Sequence, residues 1–500
     1  MKHCVIIGGG LGGLVTGALL AKEGYQVTVL EKNANVGGGL QSFKRHGVSF
    51  PTGMHIFGGF GKGGNLYKLF DYLGILDQLS LRPTDDDAFD IVHVAEDGAL
   101  YRFPKNKDKY IDYLSSLFPE EKEGIKAYFD RLFELSEEED LFYLRESEPY
   151  SMAHVSDDFT RPYNALIDRY LTNPKLKGLL TYLSPLFGGV EGMTPTYLNA
   201  LLSVLHIEGT FQFAGGSQQM VDALSKVIED AGGKVVANEE VTRIQVENHL
   251  VTGVLTKSNN IYHADNYISD VHPEVLLRII DEKAFPSAFR KRIAMVPESA
   301  SSFKVYVKFK AQSFPYLNHA NFYLENYQSH NSQRSAFSAQ LMFVTPPTEH
   351  QGEFATTMVI ITQMDYAWVK PWENTRTGHR GEAYERWKQT MTDKVLDRME
   401  RLYPGFRNHI EFVFASSPLT IRDYYGNKEG SNYGFQKDSS QLMLSQLSVF
   451  TKVKNLFLTG QNVNIHGFCG VSLTAIETAE ALVGHNAIVR KINNFCTSHS

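Results

Sequence analysis

The first thirty residues combine apolar runs with glycines in a pattern that predicts a strand, a turn and a helix. Residues 4–21 carry no charged side chain, and six of these eighteen residues are glycine. Glycine is costly inside a helix, so this uncharged run is a poor candidate for a membrane span or an export signal. We expect a buried strand that ends at Ile7, a turn at Gly8–Gly10 and a helix that closes at Gly24. A second strand follows at Tyr25–Leu30.

Further apolar and β-branched runs predict two sets of strands in the rest of the chain. The predicted strands are Lys234–Val236, Val241–Ile244, Val251–Thr256, Ile261–Ile268, Lys304–Lys310, Asn321–Glu325, Phe337–Val344, Thr356–Gln363 and His409–Ala415. A hairpin is expected over residues 86–103 and a long helix over Ala383–Leu402. The pattern predicts an α/β fold with a Rossmann-type nucleotide-binding domain and an α+β substrate domain that contains a mixed sheet and helices. The first domain is assembled from residues 1–75, 205–285 and 451–500, and the second from residues 76–204 and 286–450.

Length, charge and cysteine content narrow the class of protein. A chain of 500 residues is too long for one ordinary core, which favours two domains. The formal net charge of −7 argues against nucleic-acid binding. Cys4, Cys469 and Cys496 show no paired spacing, which suits a reducing, cytoplasmic setting. The 17 histidines show no metal-ligand spacing, so we expect no metal site.

The glycine turn carries the strongest chemical signal. Gly8, Gly10 and Gly13 form a G-x-G-x-x-G motif around Leu11 and Gly12, between a predicted strand and a predicted helix. This arrangement lets the backbone approach a diphosphate at the positive helix N-terminus. Glu31, followed by Lys32, ends the second strand, and its carboxylate suits ribose hydroxyls while it repels a 2′-phosphate. The pattern predicts a dinucleotide site that disfavours NADP.

A second G-x-G-x-x-G motif spans residues 59–64. The segment before it contains Pro51 and Gly53, which are poor residues for a central strand, and no acidic strand end follows at the required spacing. We interpret it as a loop before a helix rather than as a nicotinamide site. No second nucleotide domain is predicted, so a redox enzyme of this kind needs an external electron donor or acceptor.

The glycines after Glu31 distinguish between possible dinucleotides. Gly37, Gly38 and Gly39 follow six residues later, and this second turn resembles the phytoene desaturase-like flavoprotein superfamily. Members of that superfamily usually carry a cation at the position of Gly39. The resemblance implies FAD as the cofactor, with Gly38 and Gly39 beside it.

Two later segments extend this resemblance. It implies that the backbone of Val241 meets the adenine, and that Gly460, Gln461 and Asn462 lie against the ribitol and phosphate. It also implies that a helix opening near Gly470 and Val471 points its N-terminus at the flavin pyrimidine. Residues 53–58, 430–434 and 458–461 resemble the retinol saturase and carotenoid isomerase types in particular, although Pro51 and Asn462 stand where relatives have Asp.

The resemblance implies flavin-dependent redox chemistry on carbon–carbon double bonds of a hydrophobic polyene, retinoid- or carotenoid-like, as a saturase or a desaturase. Three alternatives stay open at this point: an isomerase on the same scaffold, an amine- or porphyrinogen-oxidising relative, and a flavin-free binding protein like the Rab GDP-dissociation inhibitors. Glu31 and the Thr459–Gly460 turn argue against the last of these.

Three residues are candidates for proton transfer beside the flavin: His55, His466 and Tyr433. Histidine is the natural proton carrier near neutral pH, although each of the three could equally serve packing or bind the cofactor. Residues 178–190 and 192–206 are uncharged but too short to span a bilayer. They predict buried helices, a hydrophobic tunnel or contact with a membrane surface from which the substrate is drawn.

Overall fold

The fold is built from two main sheets, and the computed structural model describes residues 1–148, 155–328 and 339–498. The strands are β1 His3–Ile7, β2 Gln26–Leu30, β3 Ser42–Arg45, β4 Val48–Pro51, β5 Leu81–Pro83, β6 Asp90–Val94, β7 Leu100–Phe103, β8 Phe211–Phe213, β9 Lys234–Val236, β10 Val241–Glu247, β11 Leu250–Thr256, β12 Ile261–Tyr262, β13 Asn266–Ser269, β14 Ser301–Phe309, β15 Ala320–Leu324, β16 Gln340–Val344, β17 Thr357–Met364, β18 Ile410–Ser416 and β19 Leu456–Leu458. The helices are α1 Leu11–Lys22, α2 Asn65–Leu73, α3 Lys107–Leu117, α4 Lys122–Ser136, α5 Asp157–Thr160, α6 Tyr163–Tyr170, α7 Pro174–Leu180, α8 Thr196–Ile207, α9 Gln218–Asp230, α10 Pro273–Ile279, α11 Ser287–Met295, α12 Glu382–Leu402, α13 Pro418–Tyr425, α14 Leu442–Ser445, α15 Gly467–Val483 and α16 Ala487–Ser498.

The first sheet is parallel and draws its strands from distant parts of the chain. Its order is β19-β13-β1-β2-β9, and every neighbouring pair is parallel. The apolar run Cys4–Ile7 is fully buried at its centre, as expected for a strand covered on both faces. Helix α1 is buried from Gly12 to Ala21 and packs against α9 and α15. The predicted α/β class with a Rossmann-type parallel sheet is confirmed.

The second sheet is mixed and has the order β18-β14-β17-β16-β15-β6-β7. The β15–β6 pair is parallel and the other pairs are antiparallel. The hairpin predicted over residues 86–103 is β6–β7. Strand β16 begins at Gln340, and the predicted start at Phe337 lies outside the described residues.

One predicted strand is wrong as a single element. The run Ile261–Ile268 is divided into β12, which pairs with β11 in a three-stranded antiparallel sheet, and β13, which enters the parallel sheet beside β1. The division occurs at residues 263–265, where the Asp265 N–H donates to the His3 carbonyl as the chain turns into the parallel sheet. The exact domain limits stay a prediction.

The second glycine motif forms the predicted loop, and the uncharged segments are helical, as predicted. Residues 59–64 form a loop that leads into α2. The uncharged segments form α7, a short 3₁₀ turn at Ser184–Phe187 and α8. Within the ranges described above, no helix has both the length and the apolar character needed to cross a bilayer.

Candidate functional site

A cavity of about 600 Å³ is lined by residues from both the parallel sheet and the mixed sheet. One end is lined by the glycine turn and by Glu31 at the end of β2. The other end is lined by side chains of β14–β17 and by the last turns of α8. Because parallel strands place their carboxyl ends at one edge, this position is where α/β folds bind ligands. The cavity is therefore the candidate active site.

The glycine turn has the geometry that a diphosphate requires. Gly8 has a φ of +105°, a conformation that side-chain-bearing residues rarely adopt. A Cβ atom on Gly10 would lie 2.8 Å from the Asp270 Oδ2, and one on Gly12 would lie 3.0 Å from the Gly460 backbone. The N-cap of α1 is Gly10, which has no side chain to occupy the helix N-terminus. The turn therefore packs closely against its neighbours and places no side chain of its own at the helix N-terminus, as a phosphate site requires.

Glu31 is held in position by the same turn. Its side chain is only 6% exposed. The Gly9 N–H donates to its Oε2 at 3.0 Å, and the Asn33 N–H donates to its Oε1 at 2.8 Å. Carboxylate oxygens accept more than one hydrogen bond, so Glu31 can still accept from ribose hydroxyls.

Asp270 is a site residue that the sequence reasoning missed. It follows β13, lines the cavity, and its Oδ2 accepts a hydrogen bond from the Gly13 N–H at 2.8 Å. Burial, together with the nearby charge of Glu31, raises the pKa of Asp270 to about 7. The position of an acidic residue directly after a predicted strand could have indicated a site residue. Its hydrogen-bond donor Gly13, however, lies 257 positions away in the sequence.

Most residues predicted to hold the cofactor reach the cavity wall. These are Gly8, Gly10, Leu11, Gly12, Glu31, Lys32, Gly38, Gly39, Val241, Gln461, Asn462 and Val471. Gly13, Gly460 and Gly470 are not part of the wall. A Cβ atom on Gly13 would collide with the Gly8 carbonyl, one on Gly460 with Asp270, and one on Gly470 with Ile465. These three glycines permit close packing behind the wall.

His55 is the candidate proton carrier that the structure places on the wall. Both of its ring nitrogens are buried and have no hydrogen-bond partner among the described residues. Burial lowers the pKa of His55 well below its usual value, and the positive charge of Lys304 lowers it further. His55 is therefore neutral at pH 7, with a nitrogen lone pair available to accept a proton.

Lys304 is the second residue that sequence reasoning missed. It lies on β14, is buried and lines the cavity, and its Nζ donates to the Thr52 carbonyl at 2.8 Å. Burial lowers the pKa of Lys304 to about 8. A lysine directly before the alternating apolar residues of a strand was a weak signal, because lysine is rarely buried without a partner.

Tyr433 and His466 form a pair in which only Tyr433 lines the cavity. Their ring centroids are 4.7 Å apart. Burial lowers the pKa of His466 to about 3, and the charge of Lys437 contributes. His466 is the N-cap residue of α15 and does not line the cavity, and its role as a proton carrier stays a prediction.

The described part of the chain contains no cluster of three histidine, cysteine or acidic side chains able to hold a metal ion. Cys4 and Cys469 are buried, and Cys4, Cys469 and Cys496 form no disulfide bond within the described residues. The imidazole of His55, the ammonium of Lys304 and the phenol of Tyr433 are among the groups at the cavity wall that can exchange a proton.

Comparison with known proteins identifies similar chains along almost the whole length. All-trans-retinol 13,14-reductase of Danio rerio is 24% identical and covers 96% of this chain and 86% of its own length. Prolycopene isomerase 2 from an Oncidium hybrid cultivar is 23% identical over 96% of this chain and 83% of its own. The predicted resemblance to the phytoene desaturase-like superfamily is confirmed.

A solved structure and a protein family also match this chain. The crystal structure of an oxidoreductase from Methanosarcina mazei superposes with a TM-score of 0.66 at 17% identity, and covers 96% of this chain and all of its own. The family described as flavin containing amine oxidoreductase matches residues 11–483. This chain is therefore a flavin-dependent oxidoreductase that belongs to the flavin-containing amine oxidoreductase family.

Proposed function

We propose that this protein binds FAD and acts on carbon–carbon double bonds of a hydrophobic polyene, retinoid- or carotenoid-like. One observation carries the proposal: the glycine turn and an apolar chamber open into the same cavity. The similarity to a retinol reductase and a prolycopene isomerase supports the substrate class. The proposal covers saturation and desaturation, and product analysis distinguishes them.

The two glycine turns support FAD as the form of the flavin. The Gly37 N–H donates to the Gly9 carbonyl at 2.8 Å, so the second turn is held against the first. Together with Glu31, these turns suit a diphosphate linked to a ribose, which FAD contains and FMN lacks. Val241 on the cavity wall suits the adenine, and Gln461, Asn462 and Val471 suit the ribitol and ring.

The substrate end of the cavity is predominantly apolar. Its wall includes Leu202, Leu205, Phe322, Leu324, Met342 and Ile361. An apolar wall favours transfer of a hydrocarbon chain out of water or lipid, and it excludes water from the reacting atoms. These properties suit a polyene better than a polar amine.

A bound flavin would supply hydride transfer to or from a substrate carbon. The protein residues would donate the matching proton at the adjacent carbon in saturation, or accept it in desaturation. Lys304 is mostly protonated at pH 7 because its pKa is about 8, and His55 is neutral because its pKa is well below its usual value. Lys304 is thus the resident acid and His55 the neighbouring acceptor.

Two partners belong to the proposal. An external electron donor or acceptor completes the redox cycle, because the chain is predicted to hold one dinucleotide site.

A membrane surface supplies the substrate to a cytoplasmic protein, and the exposed Met295 and Met443 support such contact. Arg292 links these two segments by donating to the Leu444 carbonyl at 3.1 Å. Flotation with anionic vesicles should capture the wild type, and a Met295→Ser, Met443→Ser variant should bind less.

Product analysis tests the proposal. The purified protein is reduced anaerobically and mixed with all-trans-retinol or a carotene, and the products are analysed by mass and retention time. Addition of two hydrogen atoms means saturation, loss of two by the oxidised protein means desaturation, and unchanged mass with altered retention means isomerisation. Release of FAD on denaturation is expected in every case. Absence of any product from a panel of polyenes would remove the proposed substrate class.

A further inference from the structure

A polar cluster interrupts the apolar wall at the substrate end of the cavity. Asp90, the first residue of β6, is fully buried. The Tyr182 hydroxyl donates to its Oδ2 at 2.9 Å, and His206 Nδ1 lies 3.4 Å from the same oxygen. Tyr182 is 1% exposed and His206 is 2% exposed. The three side chains therefore form a hydrogen-bonded group inside the protein, remote in sequence from the glycine turn.

Two members of this cluster face the cavity. Tyr182 and His206 line it, whereas Asp90 lies behind them. His206 is on α8, next to Leu205 and one turn from Leu202, which both belong to the apolar wall. Phe322 packs edge-on against Tyr182 with ring centroids 4.8 Å apart. The imidazole is thus a polar spot surrounded by hydrocarbon.

The hydrogen bonds of the cluster define what this spot can bind. A carboxylate has no proton to donate, so the His206 Nδ1–H is the donor to Asp90 and the Nε2 atom carries a lone pair. Asp90 Oδ1 has no hydrogen-bond partner among the described residues. Buried polar atoms are normally paired, so a cluster that serves packing alone should leave no such acceptor. Asp90 does not line the cavity, so a ligand meets this acceptor-rich cluster at His206, which suits a ligand that donates a hydrogen bond.

We propose that His206, positioned by Asp90 and flanked by Tyr182, binds a terminal hydroxyl group of the polyene substrate, whose O–H donates to the His206 Nε2. The inference rests on the proposed function and narrows its substrate to polyene alcohols. The negative charge of Asp90 disfavours a carboxylate end group. An ammonium end group is also disfavoured, because a cation loses more hydration on entering an apolar chamber than an alcohol does.

A ligand series tests this site in the flavin-loaded protein. All-trans-retinol, its methyl ether, its amine analogue and its carboxylic acid analogue are titrated anaerobically, and the change in flavin absorbance gives each affinity. The ether keeps the chain and the oxygen but cannot donate. We expect the wild type to bind the alcohol about tenfold more tightly than the ether, as one lost hydrogen bond implies. This comparison needs no variant.

Two variants assign the preference to His206. His206→Phe should bind the alcohol and the ether equally, and its flavin content reports whether it has folded. His93→Phe is the matched control, because His93 lies on β6 but does not line the cavity, and it should keep the wild-type preference.

The outcomes separate this inference from the proposed function. Equal binding of alcohol and ether by the wild type, retention of the preference in His206→Phe, or tighter binding of the amine or acid would each overturn the hydroxyl site while polyene binding stands. Failure of every member of the series to bind would instead remove the polyene class, and the hydroxyl site with it.

Discussion

The Asp270 carboxylate accepts a hydrogen bond from the Gly13 N–H at 2.8 Å, at the N-terminus of the helix that follows the glycine turn. A second acidic residue, Glu31, is close enough to raise the pKa of Asp270, which reaches about 7. Two acidic side chains therefore face the site where a diphosphate is expected. The protonation state of Asp270 should decide how strongly that site attracts an anion.

We predict that cofactor affinity depends on pH through Asp270. Below pH 7 the carboxyl group is largely protonated and neutral, whereas above pH 7 its charge repels the diphosphate. The affinity of the apoprotein for FAD should fall by up to about tenfold per pH unit above the pKa. Fluorescence titration between about pH 6 and about pH 9 measures this.

Asp270→Asn should flatten this profile, because the amide keeps the acceptor for the Gly13 N–H but carries no charge. Asp265→Asn is the control, since Asp265 is exposed near the start of the same strand. A variant at position 270 that retains the full pH dependence would show that another group is responsible.

The two glycine motifs offer a matched comparison. A Cβ atom on Gly12 would lie 3.0 Å from the Gly460 backbone and 2.5 Å from the Asp270 carboxylate, whereas one on Gly61 would meet no atom within 4 Å. Gly12→Ala should therefore lose most of its flavin, and Gly61→Ala should keep it. The ratio of flavin to protein absorbance after purification measures both. Equal flavin content in the two variants would contradict the assignment of the first motif.

Lys304→Met should slow the proton-coupled step by about 10²- to 10⁴-fold, the usual contribution of a general acid. In the wild type the rate of flavin reoxidation by a polyene should fall as pH rises through about 8, because Lys304 then loses its proton. The variant should lack this decline. Rapid-mixing absorbance at several pH values measures both properties.

The control for Lys304 is Lys308→Met on the same strand. The Lys308 Nζ donates to the Phe309 carbonyl and lies 3.8 Å from the Glu411 carboxylate, and Lys308 does not line the cavity. It should leave the pH profile unchanged. If both lysine variants behave alike, the proton comes from elsewhere.

His55→Gln should slow flavin reduction or reoxidation by about tenfold or more, since a proton acceptor on the cavity wall is lost. Because the pKa of His55 is far below its usual value, the substitution should not shift the pH dependence near neutrality. The two half-reactions are measured separately by anaerobic mixing. Unchanged rates in both would remove His55 from the mechanism.

The sequence was most informative where the chemistry is local. Gly8, Gly10 and Gly13 lie within one turn, and their spacing alone predicts a phosphate site. Asp270 and Lys304 reach that site from other strands, through contacts separated by more than 200 residues. A single sequence does not show which distant residues are in contact, so Asp270 and Lys304 could not be assigned to the site from the sequence alone.

The same limit explains the strands and the proton candidates. Ile261–Ile268 resembles one strand, yet its first part pairs with the preceding strand β11, whereas its last part pairs with β1 near the start of the chain. The sequence predicts a helix that opens near His466, and α15 begins directly after that residue. The contact between the His466 and Tyr433 rings, however, depends on packing between two segments that the local pattern does not connect. Local patterns gave the elements, and long-range packing determined which side chains face the cavity.

The most direct measurement is the flavin absorbance of the anaerobically reduced protein after mixing with all-trans-retinol or a carotene. If the enzyme saturates polyenes, an unsaturated polyene should restore the absorbance band of oxidised flavin. If it desaturates them, a more saturated analogue should bleach the flavin band of the oxidised protein. Isomerisation would change the polyene spectrum without net loss of reduced flavin. A flavin band that responds to no polyene, while the polyene itself stays unchanged, would contradict the proposed function.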